Sequence, residues 1–180
     1  MLKFINIEHR RFSVKLIFRK AAEGDVPSIE ILIKQAIAEM EQNQIFQWDD
    51  LYPTREDFLE DIQNRQLFIG CIDCQIVVIF TINENFDKAY INGKWKNPEK
   101  SFYIIHRLCV HPKFQNKGIA KQAMRYIEQQ VLFEGKQAVR LDVFSQNPYA
   151  IKLYLDCGYE KVGTAEWRKG IFYLMEKYLD

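Results

Sequence analysis

The sequence predicts an α+β fold, with helices packed on one mixed β-sheet in the order β-α-α-β-β-β-α-β-α-β-β. Three observations carry that expectation. Short runs rich in Val, Ile, Phe and Tyr recur as strand-like segments, and longer runs between them place apolar residues at helical spacing. A length of 180 residues suffices for one core. No repeat, low-complexity stretch or Pro/Gly-rich linker divides the chain, so residues 1–180 read as one domain, with 17–178 as its core and 1–13 as an N-terminal extension.

The elements follow in order. Residues 14–19 read as the first strand. Asp25 is placed to cap a helix whose inner stripe is Ile29, Ile33, Ala36, Ile37 and Met40. Thr54 and Asp57 have capping-box spacing and open a second helix, with Phe58 and Ile62 facing inward. Residues 67–71 and 76–83 read as two strands joined by a turn at Asp73-Cys74, where Cys74 stands in place of the expected glycine. Residues 84–100, with Tyr90 and Trp95, form a long polar insertion, placed to overhang a site or to meet a second copy. The strand Phe102–Val110 follows. Ala120, Met124, Ile127 and Val131 make the core stripe of the third helix, which Gly135 ends. Residues 139–144 are a strand. Pro148 suits the first position of a fourth helix, and Gly158 lies just past its end. Residues 160–166 and 171–178 close the sheet.

Composition narrows the function. Twenty-five basic against 24 acidic residues leave a net charge of +1, which provides no electrostatic footprint for nucleic acid or a membrane surface. No apolar run reaches spanning length, and the N-terminus lacks a signal-peptide core, so a cytoplasmic location is expected. Cys71 and Cys74 fall in a hairpin, whereas Cys109 and Cys157 lie far apart. Reduced structural thiols and no metal site are expected.

The chemistry concentrates between Phe102 and Tyr159. The strand Phe102–Val110 stops at His111-Pro112, and Gln115-Asn116-Lys117-Gly118-Ile119-Ala120 opens a helix. A strand, a tight loop and a helix N-terminus make an anion cradle, because the first helical amides have no internal partner and the macrodipole favours negative charge. Gly118 lets a phosphate approach the backbone, and small Ala120 keeps the path clear. Lys113, Lys117 and Lys121 add positive charge nearby; a helix start with solvated lysines is the alternative. Further on, Asn147 and Pro148 start a helix that carries Tyr154, followed by Gly158-Tyr159.

These residues resemble the GNAT superfamily of N-acetyltransferases. The loop pattern Gln/Arg-x-x-Gly-x-Gly/Ala is matched by Gln115, Gly118 and Ala120. The second pattern, Asn-x-x-Ala-x-x-x-Tyr-x-x-x-Gly-Phe/Tyr, is matched by Asn147, Ala150, Tyr154, Gly158 and Tyr159. The resemblance implies acetyl-CoA as co-substrate, its pyrophosphate held by amides from about Gln115 to Ala120. It implies that a splayed strand end at Leu108, Cys109 and Val110 leaves backbone groups for the pantetheine arm and the thioester carbonyl. An N–H aimed at the developing oxyanion is worth about 3 kcal/mol. Asn147 either caps its helix or also touches the arm.

Acetyl transfer to an amine releases a thiolate that needs a proton, and the resemblance assigns that task to Tyr154, whose phenol has a pKa near 10. Two groups are candidates to deprotonate the incoming ammonium. Asp142 is a carboxylate within an apolar strand, which is costly unless it faces solvent or a site. His106, on the preceding strand, has an ordinary pKa suited to a base. A water relay is the third possibility. The acceptor side is expected in the first helices and the 43–53 connection, where Trp48 and Tyr52 either wall a pocket or pin the loop, and Asp49 or Asp50 attracts an amine. The sequence does not name the acceptor. Three readings remain: an acetyltransferase acting on a small amine, one acting on protein N-termini or lysines, and an idle acyl-CoA-binding module. A monomer and a homodimer are both compatible.

Overall fold

The computed structural model describes residues 15–98 and 101–179. The expected extension 1–13, the first residue of the expected strand 14–19, and the last two residues of the insertion lie outside the described residues.

Every expected element forms in the expected order. The strands are β1 Ile17–Lys20, β2 Leu67–Ile72, β3 Gln75–Asn83, β4 Phe102–Val110, β5 Ala138–Phe144, β6 Glu160–Trp167 and β7 Gly170–Tyr178. The helices are α1 Val26–Gln42, α2 Arg55–Gln63, α3 Ile119–Phe133 and α4 Pro148–Asp156. The seven strands form one sheet in the order β1-β2-β3-β4-β5-β7-β6. Only β4 and β5 run parallel, and α3 supplies the crossover that parallel neighbours need.

Strand alternation divides the core between the two faces. Leu67, Ile69 and Ile79 pack with Ile29, Leu32, Ile33 and Ala36 of α1 and Phe58 of α2. Phe68, Val78 and Phe80 point the other way and pack with Ala123, Met124, Ile127 and Val131 of α3 and Tyr154 of α4. The insertion adds a third cluster, in which Tyr90 meets Ile104, Ala165 and Leu174.

Several local expectations change. Asp25 does not cap α1 with its side chain. Its carboxylate accepts from Arg19 at 2.7 and 2.8 Å and from the Ala22 N–H at 2.8 Å, closing the short turn ahead of the helix. In α1, Leu32 joins the buried stripe, while Ile37 and Met40 are half-buried. Thr54 and Asp57 do form the capping box, and Phe58 and Ile62 face the core as expected, with Asp61 buried beside them. Asp73 and Cys74 both adopt positive φ, 47° and 63°, the backbone that a two-residue hairpin turn requires. All four cysteines are free thiols. Among the described residues no helix is long and apolar enough to cross a membrane.

One irregularity shapes the site. Ile79 pairs with Cys109, yet Thr81 pairs with His106, so β4 carries an extra residue opposite β3. Arg107 absorbs it in the left-handed region at φ 53°. On its other edge β4 pairs with β5 only as far as Ile105↔Leu141, although the strands continue to Val110 and Phe144. The two parallel strands therefore separate like a wedge.

Candidate active site

A cavity of about 440 Å³ opens at that wedge, a size suited to a small molecule. Ile105, His106, Arg107 and Leu108 of β4, Asp142 of β5 and Tyr154 of α4 line its floor. Trp48 and Tyr52 wall one side, and Trp167, Arg168, Lys169 and Phe172 from the β6–β7 hairpin wall the other.

Asp142 is half-buried, and the low polarity around it pushes its carboxyl up to about 6. The Tyr90 hydroxyl donates to its Oδ2 at 2.8 Å, which favours the ionised form and offsets part of that rise. A carboxyl in this range suits proton acceptance near neutral pH.

Tyr154 is 7% exposed. Its side chain borders the cavity. Burial first, and the Asp142 carboxylate second, push its phenol well above the ordinary value, so it stays protonated. The same burial destabilises any thiolate formed beside it and strengthens that thiolate's hold on a proton.

His106 sits differently. Its Nε2 lies 2.9 Å from Asn83 Oδ1, an acceptor also engaged by the Asn85 N–H. Burial, together with the Arg107 charge, lowers the ring to about 4, which makes it a much weaker base than Asp142. Arg107 contacts Asp61 and donates to the Tyr52 hydroxyl at 3.0 Å; Asp61 also accepts from Thr81 at 2.7 Å. This network ties α2 and the 43–53 connection to the bulged strand.

The loop residues Gln115, Asn116 and Lys117 are exposed, as is Gly118, which begins α3 at φ 76°. Open space surrounds it: a side chain added at Gly118 would meet nothing within 4 Å. Among the described residues, the N–H groups of Gly118, Ile119 and Ala120 have no acceptor in the protein. These are the free donors that a pyrophosphate needs. Lys117 lies 5.1 Å from the Phe114 ring, and Lys121 pairs with Asp156 at 3.0 Å. Leu108, Cys109 and Val110 lie where β4 has left β5, so their backbone on that edge has no ladder partner. The Cys109 thiol, pushed up to about 12 by burial, packs into the α1 side of the core. Asn147 Oδ1 accepts from the Ala150 N–H at 3.0 Å, and its amide donates to Gln47 at 3.0 Å. Its side chain is thus engaged as a cap and as a tie to Gln47, which lines the cavity.

Trp48 is buried against α1 and lines the cavity, so it both pins its loop and walls the pocket. Asp49 does not face an amine: Arg168 at 2.7 Å and Lys169 at 2.6 Å hold its carboxylate, well below the usual range. Sequence reasoning named Tyr90 only as part of the insertion and missed Asp61 and the Arg168-Lys169 pair. Only the aromatic content of the insertion signalled Tyr90.

Known proteins share the family pattern and the fold of this chain. The Acetyltransferase (GNAT) family matches residues 34–159, which include the α3 loop and the Asn147 to Tyr159 pattern. The L-amino acid N-acetyltransferase AaaT of Escherichia coli (strain K12) is 28% identical over 112 residues, 62% of this chain. The chain spans 63% of that protein's length. A GNAT-family acetyltransferase from Streptococcus agalactiae 2603 has the same fold, with a TM-score of 0.79 at 21% identity, over 92% of this chain and 96% of that one. The PaiA N-acetyltransferase of Thermoplasma acidophilum in complex with coenzyme A gives 0.69 at 16% identity, over 92% and 99%. With the family match running through most of the sheet and both motifs, the chain belongs to the acetyltransferase (GNAT) family.

Proposed function

We propose that this protein is an acetyl-CoA-dependent N-acetyltransferase whose acceptor is a small primary amine bearing a carboxylate, as an amino acid does. The observation that carries this reading is the meeting of Asp142 and Tyr154 in one aromatic-walled cavity at the β4–β5 wedge.

The roles follow from position. The free amides at the head of α3 fit a pyrophosphate, and the unpaired edge of β4 fits an amide-bearing arm running into the wedge. Asp142 takes the proton from the acceptor ammonium, directly or through one water. The freed amine forms the N–C bond to the acetyl carbon as the C–S bond breaks. Tyr154 gives its proton to the departing sulfur and is reprotonated from solvent. Neither residue acts as a covalent nucleophile, so transfer is direct, within a ternary complex. The presence of both groups argues against an idle binding module.

The acceptor class rests on shape and charge. A cavity of about 440 Å³ walled by Trp48, Tyr52, Trp167 and Phe172 suits a small molecule better than a peptide. Two cations, Arg168 and Lys169, line the cavity together with Asp87 and share the carboxylate of Asp49, so two cationic donors stand on one wall. A carboxylate docked there leaves the amine end of a short molecule free to reach Asp142. The similarity to an L-amino acid N-acetyltransferase supports the same class.

An acceptor panel read by thiol release tests this. Free amino acids should be acetylated better than their amides and esters, and better than N-terminal or lysine peptides. Lys169→Gln should raise KM for the free acid by about tenfold while leaving the amide's unchanged. Equal turnover of acids and amides would overturn the acceptor class. Turnover of peptides alone would assign a protein substrate.

A further inference from the structure

The insertion at residues 84–98 brings a tyrosine onto the carboxylate that the proposed mechanism uses. We infer that Tyr90 is a positioning residue for Asp142: it fixes the carboxylate's orientation and keeps it ionised enough to accept a proton. This rests on the reading of Asp142 as the base.

The geometry is specific. Tyr90 is 4% exposed and aims its hydroxyl at Asp142 Oδ2, 2.8 Å away, across 52 residues of chain. The bond engages Oδ2 of a carboxylate whose residue lines the cavity. Tyr90 is itself fixed: Trp95 stacks on its ring at 5.5 Å, and the Trp95 indole donates to the Tyr90 carbonyl at 2.8 Å. Trp95 in turn lies over the Arg140 guanidinium at 4.3 Å. The Lys96 N–H donates to Glu176 at 2.9 Å, and Glu176 is the buried partner of Arg140. The Lys94 N–H donates to the Val162 carbonyl at 2.8 Å. Gly163 lets the insertion lie this close to β6, because a Cβ there would meet the Asn92 carbonyl oxygen at 2.6 Å. A segment seated this firmly presents Tyr90 as part of a preformed site.

A second consideration concerns proton affinity. A hydroxyl donating to a carboxylate stabilises the charged form. Tyr90 stays a donor throughout the working range, because burial and the Asp142 charge push its own phenol well above 10. The other ionisable groups around Asp142 are few. Asp87 of the insertion opposes its charge. Tyr154 comes from α4, Tyr52 from the 43–53 connection, His106 and Arg107 from β4, and Arg168 and Lys169 from the hairpin. The facing β7 residue is Leu174, which is apolar. Among the described residues Tyr90 alone donates a side-chain hydrogen bond to the Asp142 carboxylate.

The test is Tyr90→Phe, which keeps the ring and its stacking. The Asp142 carboxyl is titrated by carbon-13 NMR in the acceptor-free protein, and kcat at saturating acceptor is followed against pH. Losing one donor to a charged group should move the Asp142 titration up by about one pH unit. The acidic limb of kcat should move with it. At pH 6 kcat should fall about fivefold, while at pH 9 it should match the wild type. A purely structural tyrosine would lower kcat equally at all pH values, and that result overturns the inference. An unmoved NMR titration overturns it as well but leaves Asp142 as the base. A shifted titration with an unmoved kcat limb removes Asp142 as the base, and the inference with it. Should Tyr90→Phe fold poorly, Gly163→Ala displaces the same segment from outside the site and should shift the Asp142 titration in the same direction.

Discussion

Asp142→Asn should make the protein more stable and less active at once. The Asp142 carboxyl stands at about 6 against an ordinary 3.8 because burial disfavours its charged form. The folded state therefore holds this proton more tightly than the unfolded chain. Below about pH 4 both states are protonated, and the group costs nothing. As pH rises from 4 to 6 the unfolded chain ionises first, so stability falls; above 6 the full cost is present. The gap between 3.8 and 6, at about 1.36 kcal/mol per unit, amounts to about 3 kcal/mol at pH 7.5. Asparagine keeps the shape and can still accept from the Tyr90 hydroxyl, but it carries no charge to bury. The variant should gain up to about 3 kcal/mol at pH 7.5, or about 6–12 °C in Tm for a chain of this size, and almost nothing at pH 4. Acetyl transfer should fall by about 10²–10⁴. Thermal unfolding of both proteins from pH 4 to 8, with turnover measured alongside, checks both halves. A variant no more stable than the wild type at pH 7.5, or a stability gap that does not change with pH, would refute the view that this carboxylate is held at the expense of the fold.

Two further perturbations address the other half of the chemistry. Tyr154→Phe removes only the hydroxyl and keeps the ring packed against Tyr159, 6.0 Å between centroids; turnover should fall by about 10²–10⁴ with acetyl-CoA affinity unchanged, as read by steady-state kinetics and calorimetry. Gly118→Glu should abolish acetyl-CoA binding while costing about 1–2 kcal/mol of stability at its φ of 76°, because the added side chain enters open space but puts negative charge where phosphates must sit. The wild type should gain about 2.7 kcal/mol of stability with acetyl-CoA at a hundred times its Kd, and the variant nothing, which ligand-dependent Tm shifts will show.

The strands, the helices and their order were legible because each has its own pattern: continuous apolar runs of strand length for β2 and β3, which are buried on both faces, and a period of about 3.6 for α1 and α3. Asp142 was legible for a related reason. A carboxylate between Leu141 and Val143 breaks an apolar run and asks for a cause. What the sequence hid is tertiary. Asp61 resembles any acidic residue on a helix of mean polar character, and only the approach of Arg107 and Thr81 shows why it is buried. Asp25 had the right spacing for a cap, but Arg19, six residues earlier, competes for its carboxylate with two charge-assisted bonds. Asp49 looked free to attract an amine because Arg168 lies 119 residues away. Tyr90 sits in an aperiodic segment, where neither spacing nor alternation says which way a ring points.

The site itself follows from how one sheet handles two different ladders. On the β3 side of β4, pairing continues to Val110, at the cost of one extra residue and a left-handed Arg107. On the β5 side, pairing stops at Ile105. Each feature alone would be a defect in a sheet. Together they open a gap between two parallel strands whose inner residues are already ordered by the strands on either side. Into that gap project an acid from β5 and a phenol from α4, helix and strand positions that do not drift as loop residues do. The variable parts are the coverings: the 43–53 connection, the β6–β7 hairpin and the 84–98 insertion. Under the proposed mechanism, the wedge fixes where the proton transfers occur, and the coverings decide which amine arrives. Altering Arg168 or Lys169 should therefore redirect acceptor choice at constant kcat for a compatible amine, whereas altering Asp142 or Tyr154 should lower kcat for every acceptor alike.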